Sequence, residues 1–470
     1  MNFGENMKKK LTILFAALLV VVTAAVVIGG CTENLKQDAI ATEFSDVVAS
    51  NGGMAVVYGN YLYFVNGYAG ETASNTFGEV VKGAVCRVAL TNGVPSGEAQ
   101  VIVPKNVYGT DKTYGGIYIV DDYIYYATTS TELDGDGNPK TSQSVIMRTK
   151  VDGTDTSVIA EFSDHTVVFK VVEGKLVYIR NSAIFSVDIN NSKFPATTVA
   201  ENILTDYIFG EEYLFFMNYA EDSTTDYIVK VYPLGGGEVK TILDAEKLGS
   251  PDTNYTFALL SAIDEGENIR LFYSKTDDGV NTPETGVYSY LYSKDDFAFD
   301  KTKEARYTLN STGTTNLAYT DFYKAGDYYL GLSSGKLDAF NADGTRVPGS
   351  DGIESLNISG TVTVFDVETT SDAVYLWYLK DSVYYRIRIL AKEGEGYKFV
   401  EDNAYKIFSA SCDSSYLAPE KIGSVIYYFN SDISNNAYYY VIPEETTSET
   451  DTAKGKILGL ITEADIVAAF

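Results

Sequence analysis

Gly331-Leu332-Ser333-Ser334-Gly335 matches G-x-S-x-G, a pattern that places a nucleophilic serine on a sharp strand-to-helix turn, with an activating histidine later in the chain. The only histidine is His165, which lies upstream, and the residues after Gly335 read as another strand. A turn between two strands therefore accounts for the motif better than a nucleophile does. One histidine and three cysteines also exclude a histidine-rich zinc site and argue against Cys/His nucleophilic catalysis. Oxygen chemistry is better represented. Asp134-Gly135-Asp136-Gly137-Asn138 has the D-x-D-x-N spacing that lets alternate oxygens of Asp134, Asp136 and Asn138 converge on calcium. An EF-type loop would continue with glycine and end in glutamate, where this chain has Pro139 and Val145, so an acidic surface loop fits the same residues.

The elements that must carry these residues are short strands in a repeat. The segment VVYGNYLYFVNG, 56–67, is a hairpin with no evident wet face, and its second strand recurs along the chain. The copies are Leu62-Tyr63-Phe64, Ile124-Tyr125-Tyr126, Val177-Tyr178-Ile179, Leu214-Phe215-Phe216, Leu271-Phe272-Tyr273, the degenerate Tyr328-Tyr329-Leu330, Leu376-Trp377-Tyr378 and Ile426-Tyr427-Tyr428. First and last lie seven steps and 364 residues apart, a mean period of 52. Each unit reads as strand, tight turn, strand and two further strands, with Asp-Gly turns at Asp152-Gly153 and Asp343-Gly344. Four short antiparallel strands at this period predict an all-β fold, a β-propeller of eight four-stranded blades, with seven as the alternative if the sixth unit is an insertion. Blades sandwiched between neighbours explain why the inner strands are apolar on both faces. The expected organisation is a signal helix in 1–30, a tether in 31–53 and the propeller in 54–470.

Blade assignment gathers further candidates. The turns between first and second strands share one face, and they carry Asp121, Asp122, Glu173, Glu211, Glu212, Asp264, Glu265, Glu267, Asp327 and Asp372, with Lys175 and Lys324 as the nearby basic residues. A carboxylate ring there would attract metal ions or a basic peptide, although tight turns favour polar residues on any acidic surface. On the opposite face the loops 67–83, 128–143 and 274–286 are long and rich in Gly, Thr, Ser, Asn and acid, a composition suited to hydrogen-bonded recognition.

The N-terminus supplies an address. MNFGENMKKK precedes Leu11–Ile28, which carries no charge, and the run ends in Ile28-Gly29-Gly30-Cys31. A basic flank, an apolar stretch and small residues form an export signal. The ending resembles the lipobox of bacterial lipoproteins. That resemblance implies cleavage before Cys31 and a diacylglycerol on its sulfur, an anchor to the outer face of the cell membrane. An uncleaved membrane span is the competing reading. Cleavage would shift the formal charge from −28 to −30 by removing Glu5 and the lysines at 8, 9 and 10. Such a surface repels nucleic acid and anionic lipid heads and favours cations or basic partners. Cys86 and Cys412 fall in the first and last units, neighbours in a closed ring, so a disulfide and two buried thiols are both open.

The repeat after Cys31 resembles, in pattern, the tyrosine-rich propeller lipoproteins of clostridia and related Firmicutes, described as YWTD-like or TolB-like. No YWTD tetrapeptide occurs, and the resemblance implies fold and location but no active site. The expected function is non-catalytic binding of an extracellular protein, peptide or glycan by a membrane-anchored propeller, with calcium as the one candidate cofactor. The alternative is an extracellular polysaccharide-acting enzyme, a glycosidase or lyase using paired carboxylates.

Overall fold

A computed structural model describes the chain from residue 48 to 457 with interruptions, the longest being 68–82, 108–115, 278–284, 308–318, 410–418 and 443–455. Cys31 and everything else before Val48 lie outside the described residues. Within them the chain forms eight antiparallel sheets in sequence order, seven of four strands and one of five. Blade 1 consists of Ala55–Tyr58, Tyr61–Val65, Val85–Thr91 and Val94–Val103, and each later blade repeats this meander. The weak sixth unit is a complete blade: Asp321–Ala325, Tyr328–Ser333, Lys336–Phe340 and the two-residue Leu356–Asn357. In blade 7 the outer position is shared by Gly396–Phe399 and Tyr405–Ser409, both paired to Val383–Glu393.

Local chemistry sets the meander. Strand residues are β-branched or aromatic, and the hairpins turn where positive φ is tolerated: Gly59 at 59°, Asp121 at 48°, Asp122 at 63° and Gly174 at 72°. The repeated Asp-Gly-Thr turns are one device used twice. In each, the threonine amide and hydroxyl donate to the aspartate Oδ1, at 2.9 and 2.6 Å for Thr154 and 2.9 and 2.5 Å for Thr345. Gly153 and Gly344 take φ of 86° and 82°, and a Cβ there would strike the Ile102 or Arg306 carbonyl in the preceding blade. The turn is thus also a contact between blades.

Burial follows the sandwich logic. Tyr63, Tyr126, Phe215, Phe216, Phe272 and Tyr273 are fully buried in second strands, with both faces covered. Shared apolar clusters join blade 1 to 2, 2 to 3, 3 to 4, 4 to 5, 5 to 6 and 6 to 7. Tyr384 packs on Tyr428 between blades 7 and 8, and Val425, Tyr427 and Tyr440 of blade 8 join the blade 1 cluster. The ring therefore closes without exchanging a strand. Lys456–Ile457 supplies the outer strand of blade 8.

Side-chain oxygens latch the inner strands. Asp206 of blade 4 accepts from the Leu259 amide of blade 5 at 2.8 Å, and Ser261 of blade 5 accepts from the Phe322 amide of blade 6 at 2.8 Å. Glu420 performs the same task at the closing seam, accepting from the Met54 and Ala55 amides of blade 1. Burial pushes its carboxyl up to about 7, against the lowering effect of the two amides.

Candidate functional site

The turns joining first to second strands and those joining third to outer strands emerge at the same end of a four-stranded meander, so both sets share one face of the ring. To the carboxylates of the first-to-second turns, with Lys175 and Lys324 as their basic neighbours, this arrangement adds cations from other elements. Lys294, from a third-to-outer turn, donates to Glu212 of blade 4 at 2.5 Å and to Asp264 of blade 5 at 2.6 Å. Arg270, rising from within the second strand of blade 5, donates through Nε to Glu265 and to the Tyr329 hydroxyl, each at 3.0 Å, and through Nη1 to Ser289 at 3.2 Å. Lys324 adds a 3.7 Å contact to Glu265. Burial works against the charge on Lys294, but its bonds to Asp264 and Glu212 hold its pKa above the ordinary value. Three of the predicted acids are therefore clamped by cations from neighbouring elements.

The remaining predicted acids are dispersed. Asp121 and Asp122 form the blade 2 turn, where burial raises the Asp122 carboxyl and Asp152 and Asp155 add to it against Lys150 and Arg148. Glu211 lies near Lys170, whose ammonium donates to the Gly210 carbonyl at 2.6 Å and is pushed down to about 8 by burial. Glu267, Asp327 and Asp372 are exposed, and Glu173 lies outside the described residues. So do Asp134 and Asn138 of the predicted calcium loop, while Asp136 is exposed. Among the described residues no group of three or more His, Cys, Asp or Glu side chains is placed to hold a metal. Cys86 is a fully buried free thiol whose pKa is raised by burial, and Cys412 lies outside the described residues. Ser333 of the G-x-S-x-G stretch is buried within a strand, and Gly335 turns directly into the next strand. The serine has no elbow.

Two arrangements escaped the sequence reading. In the inner strand of blade 7, Val362–Thr369, Asp366 and Glu368 alternate and so share a face. Glu368 accepts from Trp377 Nε1 at 2.9 Å and from Arg386 at 3.3 Å, while Lys421 of blade 8 donates to Asp366 at 2.6 Å. Arg386 stacks over Tyr375 at 3.8 Å and Lys421 over Trp377 at 5.0 Å. The two acids alternating in a β-branched strand beside the single tryptophan were a readable signal.

The second arrangement is an open groove of about 430 Å³ between the rims of blades 3 and 4. One wall is the blade 3 sheet, with Ser186 and the outer-strand residues Thr197, Thr198 and Val199, and Lys175 at its end. The other is Tyr232 and the turn Gly236-Gly237-Glu238-Val239. Thr197 pairs directly with Ser186, so both side chains face the groove, whereas Thr198 pairs with Phe185 on the other face. Gly236 and Gly237 adopt φ of 106° and 146°, values side chains rarely adopt, and leave this wall low. Hydroxyls, an ammonium and an exposed carboxylate on a low wall make a hydrogen-bonding surface rather than an apolar pocket. The triple glycine at 235–237 was its only trace in the sequence.

No family model and no curated sequence matches the chain. Among solved structures, a prolyl endopeptidase is similar at 9% identity and a TM-score of 0.41, over 82% of this chain and 55% of that one. The β-propeller domain of the Trilobed protease from Pyrococcus furiosus, described as having an open velcro topology, is similar at 10% identity and a TM-score of 0.37, over 75% and 98%. A eukaryotic initiation factor is similar at 11% identity and a TM-score of 0.42, over 90% of each chain. The chain spans about half the length of the prolyl endopeptidase. The propeller assignment rests on the sheet order itself.

Proposed function

We propose that the chain is a lipid-anchored extracytoplasmic protein whose propeller binds a protein, peptide or glycan partner without catalysis. The blade 3–4 groove carries the binding part of this reading: it is open, lined by Ser186, Thr197, Lys175 and Glu238, and walled by a turn with no side chains at two positions. The Ile28-Gly29-Gly30-Cys31 stretch carries the anchor. The test is the melting temperature of the full chain in detergent against calcium, chelator, wall glycans and basic peptides. A ligand specific for the folded state at a hundredfold excess over Kd adds about 2.7 kcal/mol of stability. A shift with a glycan or peptide that vanishes when Thr197→Trp fills the groove supports the reading. No shift with any of them contradicts it.

A second reading rests on Asp366 and Glu368. Alternate strand residues share a face, so these two acids form a carboxylate pair of the kind glycoside hydrolysis requires. Their cationic and indole partners favour a fixed ion network. Glycan cleavage by the full chain that Glu368→Gln abolishes would promote the enzyme reading over the binding one.

A further inference from the structure

We infer that the outer strand of blade 3, Ala196–Ala200, is a docking edge that takes an extended, positively charged peptide segment as an added strand, with alternate side chains entering the groove beside it. This rests on the proposed binding role and names the partner. An outer strand offers a row of unpaired backbone donors and acceptors, and proteins commonly blunt such edges with charge or by keeping them short. The other blades here do so: their outer strands carry Glu98, Glu161, Lys240, Arg306, Lys398 and Lys456, and blade 6 has only Leu356–Asn357. Ala-Thr-Thr-Val-Ala of blade 3 carries no charge, and Ala196, Thr197 and Thr198 are exposed. Among the described outer strands longer than two residues this uncharged edge stands apart, and a groove lies against it.

The register sets what fits. Ala196, Thr197 and Thr198 pair regularly with the third strand, and the irregularity at Val199 ends the flat stretch, so a short segment suffices. Added strands gain affinity from main-chain hydrogen bonds and specificity from pockets for alternate side chains. Here the pocket is polar, with Ser186, Thr197 and the exposed Glu238, and the Lys175 ammonium at its end is offset by Asp188 at 3.7 Å, so a lysine or arginine entering beside Glu238 meets a carboxylate. The chain's formal charge of −28 attracts a cationic segment and repels an anionic one, and it also opposes pairing of this edge with a second copy.

The test uses the full chain and a blocked peptide of about seven residues alternating valine and lysine, a length typical of a strand. Binding is measured by titration, and hydrogen exchange is followed residue by residue. The inference expects slowed exchange at Ala196–Thr198, and binding weakened about tenfold or more when alternate peptide amides are N-methylated, because the added ladder loses its donors. Binding indifferent to N-methylation, or protection on another blade, overturns strand addition and leaves the binding role standing. A melting shift with a glycan but none with the peptide overturns the peptide partner. No shift with either overturns both readings.

Discussion

Blades 4 to 6 and the blade 3–4 rim present opposite solutions on the same face of the ring. On blades 4 to 6 three acids are held by cations from other elements: Glu212 and Asp264 share Lys294, and Glu265 is held by Arg270. At the rim, the groove is lined by hydroxyls, an exposed glutamate and one lysine, whose 3.7 Å contact to Asp188 is long and partly exposed. A paired charge costs desolvation that its partner must repay, and removing either partner exposes that cost. A hydroxyl already hydrated in the free protein exchanges water for a ligand at little cost. The charged region is thus built to hold blades together, and the quieter one to bind.

The comparison can be broken first at Arg270. Its guanidinium is buried, and Arg270→Met leaves Glu265, with 15% of its side chain exposed, without its main partner. The expected destabilisation is about 3–5 kcal/mol, read by chemical denaturation. A loss below about 1 kcal/mol would mean that Arg270, through Glu265 and the Tyr329 hydroxyl, does not join blades 5 and 6.

The closing seam gives a pH-dependent contrast. In the folded chain burial pushes the Glu420 carboxyl up to about 7, from an ordinary value of 4.5. An acid raised in the fold favours its protonated form there. Its contribution is therefore highest below about pH 4.5, falls as pH rises towards 7, and is level above. Relative to Glu420→Gln, the wild-type chain should lose about 3 kcal/mol of stability between pH 4 and pH 8. Parallel pH profiles for the two proteins would contradict the buried-seam assignment.

Smaller effects sharpen the contrast. Lys294→Ala removes a partly exposed bridge between blades 4 and 5, so the expected loss is about 1 kcal/mol or less, and the difference from wild type should shrink at about 1 M salt. Thr197→Trp changes an exposed strand position, and stability should move by no more than about 0.5 kcal/mol while groove binding is lost.

Much of the architecture was readable in the chain, and the reasons are specific. The recurring strand Leu62-Tyr63-Phe64 marks a blade because only a strand covered on both sides is written that way, and the two Asp-Gly-Thr turns fix the third-to-outer connections. Even the degenerate Tyr328-Tyr329-Leu330 unit forms a full sheet. The charge pairing was not readable, because Lys294 is 82 residues from Glu212 and reaches it only once blades 4 and 5 lie side by side. Arg270 was a visible oddity within Asn268–Asp277, yet its partners come from two blades. The groove depends on how far the 234–239 turn stands from the neighbouring sheet, a spacing that no local residue pattern encodes.

The most direct test of the division between clamp and binding surface is the affinity of the alternating valine–lysine peptide for Thr197→Trp and Lys294→Ala chains, measured side by side with wild type. The account predicts that Thr197→Trp loses binding by tenfold or more, about 1.4 kcal/mol, while Lys294→Ala stays within about twofold of wild type. Loss of binding in Lys294→Ala with full binding in Thr197→Trp would contradict it and move the binding surface to blades 4 and 5.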